Sequence, residues 1–480
     1  MIYQTIDQLK QNIIDVLTID KGDIVISDEK RLRDSLIDDL IYSAIFSSDD
    51  EVKSSARWLI RKAGTKLGCL VSSIQSLYEA MGMDKVSGFT VPAINLRGIT
   101  YYSAQAIFRA ALKDKVGAFI FEIARSEIVY TDQRPSEYVA AITAAAIKTG
   151  YRGPLFLQGD HFQINAKKYL EDPDAETQAI KSLIREAIGA GFYNIDIDAS
   201  TVVDLGRPTI REQQGGNYSI TADMTAMIRE IEPEGVTVSV GGEIGEIGDK
   251  NTTVEEFIIF MDNYLKTLRK YGQKLKGISK ISIQTGTTHG GVPLPDGSIA
   301  KVSIDFDTLE KISRVAKSEY GLSGAVQHGA STLPDEAFDK FPKTRTSEIH
   351  LATGFQNIIY DSKIFPADLR DRIYTYINTE LQSEKKEGDT EEQFIYKARK
   401  KGFGCFKKDM WDFSPNILRS IGAELEGQFS FLFDKLNLSG TRDIVDRFVK
   451  PVDVPLEIPL ALRKRTTHVT VHGLQLPVSG

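Results

Sequence analysis

The 480-residue sequence contains only two cysteines and six histidines, and no uninterrupted apolar run approaches the ~18 residues needed to cross a bilayer. The two thiols, Cys69 and Cys405, are too few for a disulfide framework or a multi-thiolate metal site, so we expect both to be reduced and buried in a cytoplasmic protein. Lysine and arginine total 59 against 66 aspartates and glutamates, and this net charge of −7 excludes a generally basic nucleic-acid binder. The N-terminus has no basic segment followed by an apolar one, so we expect no secretory signal and no membrane partner.

The central region of the chain alternates short apolar runs with longer amphipathic segments. The short runs, which we predict to be strands, are Phe89–Leu96, Gly117–Ile123, Pro154–Asp160, Tyr193–Asp198, Thr237–Ile244, Lys280–Gly286, Gly324–Gly329 and Glu348–Thr353. The predicted helices between them include Glu137–Thr149, Ala175–Ala190, Thr221–Glu232, Val254–Tyr271 and Thr308–Tyr320. Apolar strands separated by helices indicate parallel pairing, and eight such units over about 250 residues predict an α/β protein with a (β/α)8 TIM barrel.

The segments on either side of this region have a different pattern. Apolar residues recur three and four apart near the N-terminus, and the chain beyond the last predicted strand is polar and helical. We therefore predict a helical extension over 1–85, the barrel over 86–362 and a mostly helical extension over 363–480. An open doubly wound sheet is the alternative, but no glycine-rich dinucleotide fingerprint or phosphate-loop lysine motif follows the first strand.

Three of the six histidines lie at the carboxyl ends of predicted strands, namely His161, His289 and His328. In a TIM barrel these strand ends converge on one mouth, where active sites are built. Three neutral imidazole nitrogens facing one cavity suit Zn²⁺ with one open coordination position. A single histidine in such a place would more often be a hydrogen-bonded structural residue, but three at equivalent strand ends favour a metal site.

Carboxylates end the same strands. Asp160 directly precedes His161, and we expect the two side chains to diverge, one toward the metal and one toward a substrate proton. Asp196 and Asp198 end the fourth predicted strand, and Glu243 lies near the end of the fifth. Around a cation such groups act as additional ligands, as partners that orient ligands or as proton carriers.

Small residues follow the histidines in positions where backbone N–H groups and hydroxyls could hold a phosphate. These residues are Gly290, Gly329, Ser331 and Thr353. Glycine and serine in such loops are usually turn residues, so by themselves they indicate little about function.

The motifs occur in a collinear order over about residues 88–360. They are Val91-Pro-Ala-Ile-Asn95, Gly159-Asp-His161, Gly191-Phe-Tyr-Asn-Ile-Asp-Ile-Asp-Ala-Ser200, Gly242-Glu-Ile-Gly-Glu-Ile-Gly248, Gly286-Thr-Thr-His-Gly290, His328-Gly-Ala-Ser331 and His350-Leu-Ala-Thr353. In this set the chain resembles the class II (zinc-dependent) fructose-bisphosphate aldolases, in a long divergent form with extensions at both ends. Each motif is short, but the ordered set is specific.

The resemblance implies a ligand set and a cofactor. His161, His289 and His328 would bind one catalytic Zn²⁺, and Asp198 with Glu243 would form a second cation position.

The resemblance also implies roles around the substrate, which would be a sugar phosphate. Asp160 would move a proton at the cleaved carbon–oxygen centre, and the small residues would hold the dihydroxyacetone-phosphate end. The residues expected to bind the substrate are Asn95, Gly290, Gly329, Ser331 and Thr353, together with the divergent His350 and Glu122.

The chain departs from the family at three points. His350 stands where the family usually carries asparagine, and Glu122 takes the place of a serine that contacts the far phosphate. A carboxylate at the rim beside a phosphate would be repulsive, so a bisphosphate becomes doubtful as the substrate. The loop after Gly248 does not match the family's acidic loop residue by residue. We take Asp249 as the candidate second proton carrier and predict that the next acidic pair begins a solvated helix.

The leading hypothesis is reversible aldol cleavage of a ketose phosphate that gives dihydroxyacetone phosphate and an aldehyde. A metal-dependent ketose or uronate epimerase on the same barrel is the first alternative, and a catalytically silent aldolase-like subunit is the second. The presence of all three histidines and Asp160 argues against the silent subunit, because a convergent charged site is costly to keep. We expect a homo-oligomer, since helical additions to a barrel can serve an interface.

Overall fold

Residues 1–245, 250–286 and 304–463 are described by the computed structural model of the chain. The predicted site residues Asp249, His289 and Gly290 lie outside these ranges. Within the described residues no helix is both long enough and apolar enough to cross a bilayer.

The N-terminal segment is mostly helical and contains two small β-elements. Its helices are α1 (Ile6–Ile13), α2 (Glu29–Arg31), α3 (Ile37–Phe46), α4 (Asp50–Lys66) and α5 (Gln75–Gly82), with a π-helical turn at Leu32–Leu36. Strands β1 (Leu17–Asp20) and β2 (Asp23–Ile26) form an antiparallel hairpin, and β3 (Cys69–Ser72) pairs with the barrel. The helical periodicity of the sequence did not indicate these strands, which are four residues long.

Eight parallel strands form the barrel. They are β4 (Val91–Asn95), β5 (Ile120–Ala124), β6 (Gly153–Gln163), β7 (Asn194–Asp198), β8 (Ser239–Glu243), β9 (Lys280–Ile283), β10 (Ala325–Gln327) and β11 (Glu348–Leu351). Each strand pairs with the next, and β11 pairs with β4, which closes the barrel. The eight observed strands coincide with the eight predicted ones, so the predicted TIM barrel is confirmed. Every residue of β4, β5, β7 and β8 is buried, as expected for parallel strands covered on both faces.

Helices surround the barrel strands. They are α6 (Thr100–Lys113), α7 (Arg125–Tyr130), α8 (Pro135–Thr149), α9 (Ala166–Glu171), α10 (Pro173–Ala190), α11 (Ile210–Gln213), α12 (Gly215–Ile231), α13 (Val254–Tyr271), α14 (Phe306–Tyr320), α15 (Lys340–Lys343) and α16 (Thr353–Asp361). Helix α13 begins with a capping box in which Thr253 accepts from the backbone of Glu256 and the Glu256 carboxylate accepts from Thr253. The predicted helical start at this acidic pair is therefore confirmed.

The C-terminal segment is helical and packs on the barrel. Its helices are α17 (Ala367–Glu380), α18 (Glu391–Ala398), α19 (Gly402–Cys405), α20 (Lys407–Trp411), α21 (Pro415–Lys435) and α22 (Thr441–Phe448). The Trp411 ring lies 5.5 Å from the Tyr42 ring of α3 and 6.1 Å from the Tyr101 ring of α6, measured between centroids. Both extensions therefore meet over barrel helix α6 in one apolar cluster. We keep the division at residues 85 and 362 as a proposal about organisation.

Candidate functional site

A cavity of about 270 Å³ lies at the carboxyl ends of the barrel strands. The predicted residues that line it are Asn95, Asp160, His161, His328, Gly329, Ser331, His350 and Thr353. Residues from β4, β6, β10, β11 and the loops after them thus meet in one place, although they are up to 258 positions apart, from Asn95 to Thr353.

A β-bulge in β6 brings Asp160 and His161 into the same cavity. Between Gly159 and Phe162 this strand advances three residues while its partner β7 advances two, and His161 has a left-handed φ of 40°. In a regular strand consecutive side chains point to opposite faces, but an added residue breaks that alternation. The expectation that the two side chains diverge is therefore wrong. His161 Nε2 lies 3.8 Å from Asp160 Oδ1.

His161 lies against two buried carboxylates from the next two strands. Its Nδ1 is 3.1 Å from Asp198 Oδ2 and 3.0 Å from Glu243 Oε2. The other oxygen of Asp198 accepts from Ser200 N at 3.0 Å and from Ser200 Oγ at 2.7 Å, which fixes the carboxylate. Strand ends β6, β7 and β8 thus supply one compact group of donor atoms, all within 4.8 Å of one another.

His328 joins this group from β10. Its ring centroid lies 4.1 Å from that of His161, and its Nδ1 is 3.8 Å from Glu243 Oε1. On the other side Ser282 Oγ and His328 Nε2 are 3.0 Å apart, so the hydroxyl orients the ring. Asp160, His161 and His328 form a second group of donor atoms within 4.8 Å, and His161 belongs to both groups.

The electrostatics of these groups suit a bound divalent cation. Burial, and then the charge of Asp198, raise the pKa of Glu243 to about 7. Burial opposes ionisation of Asp198 as well, but its hydrogen bond to His161 lowers the pKa of this carboxyl. Buried carboxylates that repel one another around imidazole nitrogens are a donor set that a divalent metal stabilises. The residues present therefore fit the metal that the sequence predicts.

Asp160 is held as an ionised carboxylate. Its Oδ2 accepts from Asn95 Nδ2 at 3.0 Å, and its Oδ1 lies 3.1 Å from His350 Nδ1. Burial disfavours the charge, but His161 and His350 outweigh burial and hold the pKa of Asp160 well below its ordinary value. The carboxylate lines the cavity and can accept a hydrogen bond from a substrate hydroxyl there.

Glu122 does not lie at the rim, and that part of the prediction is wrong. Its side chain is fully buried inside the barrel, where Oε2 accepts from Gln158 Nε2 at 2.9 Å and Oε1 lies 3.2 Å from His350 Nδ1. Because Glu122 precedes the last residue of β5 by two positions, its side chain projects beneath the cavity. Burial, and then the charge of Asp160, raise the pKa of Glu122 well above its ordinary value. Its influence on a substrate would pass through His350.

A layer of buried charges beneath the cavity was not predicted, and it includes Asp196, which the sequence analysis placed among the carboxylates around the cation. Lys280 Nζ donates to Gln158 Oε1 at 2.8 Å, to Asp196 Oδ2 at 2.9 Å and to Glu348 Oε1. Glu348 Oε1 also lies 2.7 Å from Nε2 of His350, so His350 connects the layer to Asp160. A lysine at the start of an apolar strand is a signal that could have been noticed, but nothing in the sequence identified its partners.

The residues expected at the phosphate end lie close together. Gly329 has a left-handed φ of 69°, which allows the chain to turn directly after β10. Ser331 follows in a 3₁₀ turn, and Thr353 begins α16. A Cβ on Gly354 would lie 2.8 Å from the Ser331 carbonyl oxygen, so the glycine allows these two loops to touch.

Sequence reasoning missed the cationic side of the cavity. Arg97 follows β4, and Lys400 comes from the C-terminal extension. Arg97 Nε donates to Glu127 Oε1 at 2.6 Å, and Arg97 Nη1 donates to Thr353 Oγ1 at 3.3 Å. Both cations lie outside the motifs that the sequence analysis recognised.

Comparisons with known proteins agree with this geometry. The family model for class II fructose-bisphosphate aldolase matches residues 76–407, which is more than half of the chain. No curated protein matches the chain.

Solved structures match the chain at low identity. The YdjI aldolase from Escherichia coli K12 is 11% identical with a TM-score of 0.46, and the match covers 78% of this chain and 100% of that chain. Fructose-bisphosphate aldolase from Campylobacter jejuni is 19% identical with a TM-score of 0.45, and covers 77% and 97%. The fructuronate-tagaturonate epimerase UxaE from Cohnella laeviribosi is 11% identical with a TM-score of 0.53, and covers 88% and 90%. Of these three matches, that to the epimerase has a TM-score above 0.5, and at 11% identity it shows the fold alone. The family model covers the whole barrel, and this match shows that the chain belongs to the class II fructose-bisphosphate aldolase family.

Proposed function

We propose that the protein is a Zn²⁺-dependent aldolase that reversibly cleaves a ketose phosphate into dihydroxyacetone phosphate and an aldehyde. The observation that carries the proposal is the position of the Asp160 carboxylate, which shares one cavity with the donor atoms of His161 and His328. Family membership supports aldol chemistry at this cavity.

The metal would be held by His161 and His328, with His289 as the third imidazole. Asp198 and Glu243 contact His161 and could serve a second cation position. When bound, the divalent cation supplies Lewis acidity at the ketose carbonyl.

Asp160 performs the proton transfer that accompanies cleavage of the C3–C4 bond. The carboxylate takes the proton of the C4 hydroxyl as that carbon becomes the aldehyde, while the bonding electrons remain on C3 of the departing ketone half. Asn95 holds one oxygen of the carboxylate, so the other is presented on the side of His350. Protonation at C3 then completes dihydroxyacetone phosphate, and we propose Asp249 as the donor.

The phosphate of the ketone half would lie against Gly329, Ser331 and Thr353, with Gly290 as a further contact. Backbone N–H groups and hydroxyls at the start of α16 and in the turn after β10 can donate to phosphate oxygens. We also keep a homo-oligomer and a cytoplasmic location as proposals. Both cysteines are unpaired, which agrees with a reducing compartment, but the expectation that both are buried is wrong for Cys405, which is exposed on a short C-terminal helix.

One observation favours epimerisation as a second candidate. His350 lines the cavity 3.1 Å from Asp160, so the site contains two proton-transfer groups side by side. Such a pair could move the hydroxyl proton in an aldol cleavage that is followed by re-addition to the other face of the aldehyde, which leaves an epimer.

The test is incubation of the metal-loaded full chain with ketose monophosphates, fructose 1,6-bisphosphate and ketouronates. Cleavage yields triose phosphate, whereas epimerisation leaves the carbon number unchanged, and mass spectrometry distinguishes the two. We expect triose phosphate. A product of unchanged carbon number would support the epimerase. A chain that takes up no metal during loading and is inactive would support the silent subunit.

Removing a ligand should remove the metal. We expect His161→Ala, His289→Ala and His328→Ala each to lose most bound metal and nearly all activity while the barrel still folds, because two remaining imidazoles hold Zn²⁺ poorly against water. The matched control is His350→Asn, which should keep the metal because its ring faces Asp160 and Glu348. Metal analysis by mass spectrometry gives the result, and full occupancy in any two of the alanine variants contradicts the ligand assignment.

A further inference from the structure

Two cations from distant parts of the chain line the same cavity as Asp160. Arg97 lies in the loop after β4, and Lys400 lies in the 3₁₀ turn Arg399–Lys401 of the C-terminal extension. The mouth of the barrel is thus completed by a side chain that the barrel itself does not contain.

The charges of these two side chains are only partly balanced. Within the described residues Arg97 forms an ion pair with Glu127, and its Nη2 makes no hydrogen bond to any of these residues. Lys400 Nζ lies 5.5 Å from the centroid of the Tyr130 ring, and within the described residues it makes no hydrogen bond or close ion pair, although the charges of Glu127 and Glu384 favour its ammonium. Burial, and then the charge of Arg97, lower the pKa of Lys400. A half-buried ammonium beside a guanidinium is stabilised when an anion binds between them.

The backbone that carries Lys400 is firmly seated on the barrel. The neighbouring Arg399 guanidinium donates to Asp361 Oδ1 at 2.6 Å, and Tyr360 Oη donates to the Arg399 carbonyl at 2.7 Å. The Phe403 ring packs directly on Gly98, leaving no room for a Cβ there. Lys400 therefore has a fixed place in the cavity wall and differs from a surface lysine.

A chain of hydrogen bonds connects this cationic pair to the proposed base. Asn95 Nδ2 donates to Glu127 Oε2 at 2.8 Å and to Asp160 Oδ2 at 3.0 Å, and the same Glu127 carboxylate binds Arg97. An anion held by Arg97 would thus lie in the same cavity as the proton-transfer group.

We propose that Arg97 and Lys400 together bind the anionic group of the ketone half beside Thr353, so that the C-terminal extension completes the site to which Gly329, Ser331 and Thr353 also belong. The inference deepens the proposed function and rests on it for the identity of the ligand as a sugar. The anionic group is a phosphate or a carboxylate, since both offer the oxygens that a guanidinium and an ammonium bind.

The test is a set of three small hydroxyketones titrated calorimetrically into the metal-loaded full chain. Dihydroxyacetone phosphate, hydroxypyruvate and dihydroxyacetone carry a phosphate, a carboxylate and no anionic group, respectively. We expect the wild type to bind one of the two anions more tightly than the neutral compound, and the preferred anion identifies the group.

Lys400→Ala should weaken binding of the preferred anion about tenfold, which corresponds to about 1.4 kcal/mol, and leave the neutral compound unchanged. Lys400→Arg should keep most of the affinity because the charge remains. The matched control is Lys401→Ala, which removes a neighbouring lysine that pairs with Glu384 outside the cavity.

Two results would overturn the inference, namely unchanged anion binding in Lys400→Ala or an equal loss for all three compounds. Because binding is measured without turnover, the two proposals fail separately. Anion binding that depends on Lys400 in a chain that cleaves no ketose refutes only the proposed function. Cleavage with unchanged anion affinity in Lys400→Ala refutes only the subsite.

Discussion

Lys280→Met should destabilise the protein strongly, because it removes the cation from a fully buried polar layer. The Lys280 ammonium lies 2.9 Å from Asp196 Oδ2 and contacts Glu348, and all three side chains are at most 6% exposed. Methionine fills a similar volume but removes the ammonium, which leaves Asp196 and Glu348 in the barrel interior with the imidazole of His350 beside them. Breaking one side of a buried ion pair costs about 3–5 kcal/mol, and we expect a loss of unfolding free energy in that range.

The pH dependence of this loss follows from the carboxylates. Burial disfavours ionisation of Glu348, but Lys280 and His350 lower the pKa of Glu348 below its ordinary value. An acid with a lowered folded pKa contributes stability that is present above its unfolded pKa and is lost as pH falls. Without Lys280 the pKa of Glu348 should rise instead, so protonation of Glu348 at low pH should reduce the variant's loss of unfolding free energy. The difference between the two proteins should therefore shrink as pH falls from 7 to about 4.

Urea denaturation followed by circular dichroism, at pH 7 and pH 4, measures both effects. Lys317→Met is the matched control, because Lys317 is also buried but donates to the Met81 carbonyl and to the exposed Asp84 carboxylate. We expect that control to cost about 1 kcal/mol. Adding Glu348→Gln to Lys280→Met should recover part of the loss. The reasoning is refuted if Lys280→Met costs no more than Lys317→Met at pH 7.

Three further predictions concern the site and the thiols. Asp160→Asn should keep the metal but lower kcat by about 10²–10⁴, as expected on removal of a positioned proton carrier, and unchanged turnover in steady-state assays would move the base elsewhere. Occupancy of the second cation position should rise with pH through about 7, because that position uses the carboxylate of Glu243, whose pKa burial and Asp198 raise to about 7. Calorimetric titration with the divalent metal at pH 6 and pH 8 checks the sign, and equal affinities for that position at the two pH values contradict the prediction. One thiol should react with a thiol reagent in the native protein and two after unfolding. Cys405 is exposed, whereas burial raises the pKa of Cys69 to about 12. Two fast-reacting thiols in the native protein would contradict the buried position of Cys69.

The sequence predicted those site residues that lie at the ends of recognisable strands, but not the depth or direction of their side chains. His161 and His328 follow strands that the sequence indicates, and they do line one cavity. Glu122 was misplaced because its sequence position indicates the strand but not the depth along the barrel axis. Asp160 was expected to diverge from its neighbour because strict alternation was assumed, and the β6 bulge depends on pairing with β7.

The sequence by itself determined the barrel, the order of its eight strands and the strand ends that carry the histidines. These features follow from periodicity and apolar runs among consecutive residues, which are local properties of the chain. Only the tertiary structure decided that Lys280 meets Glu348 in the interior and that Lys400 reaches the cavity beside Arg97. Such contacts join residues tens to hundreds of positions apart, and they depend on barrel closure, on depth within the barrel and on where the extension packs, none of which a local pattern encodes.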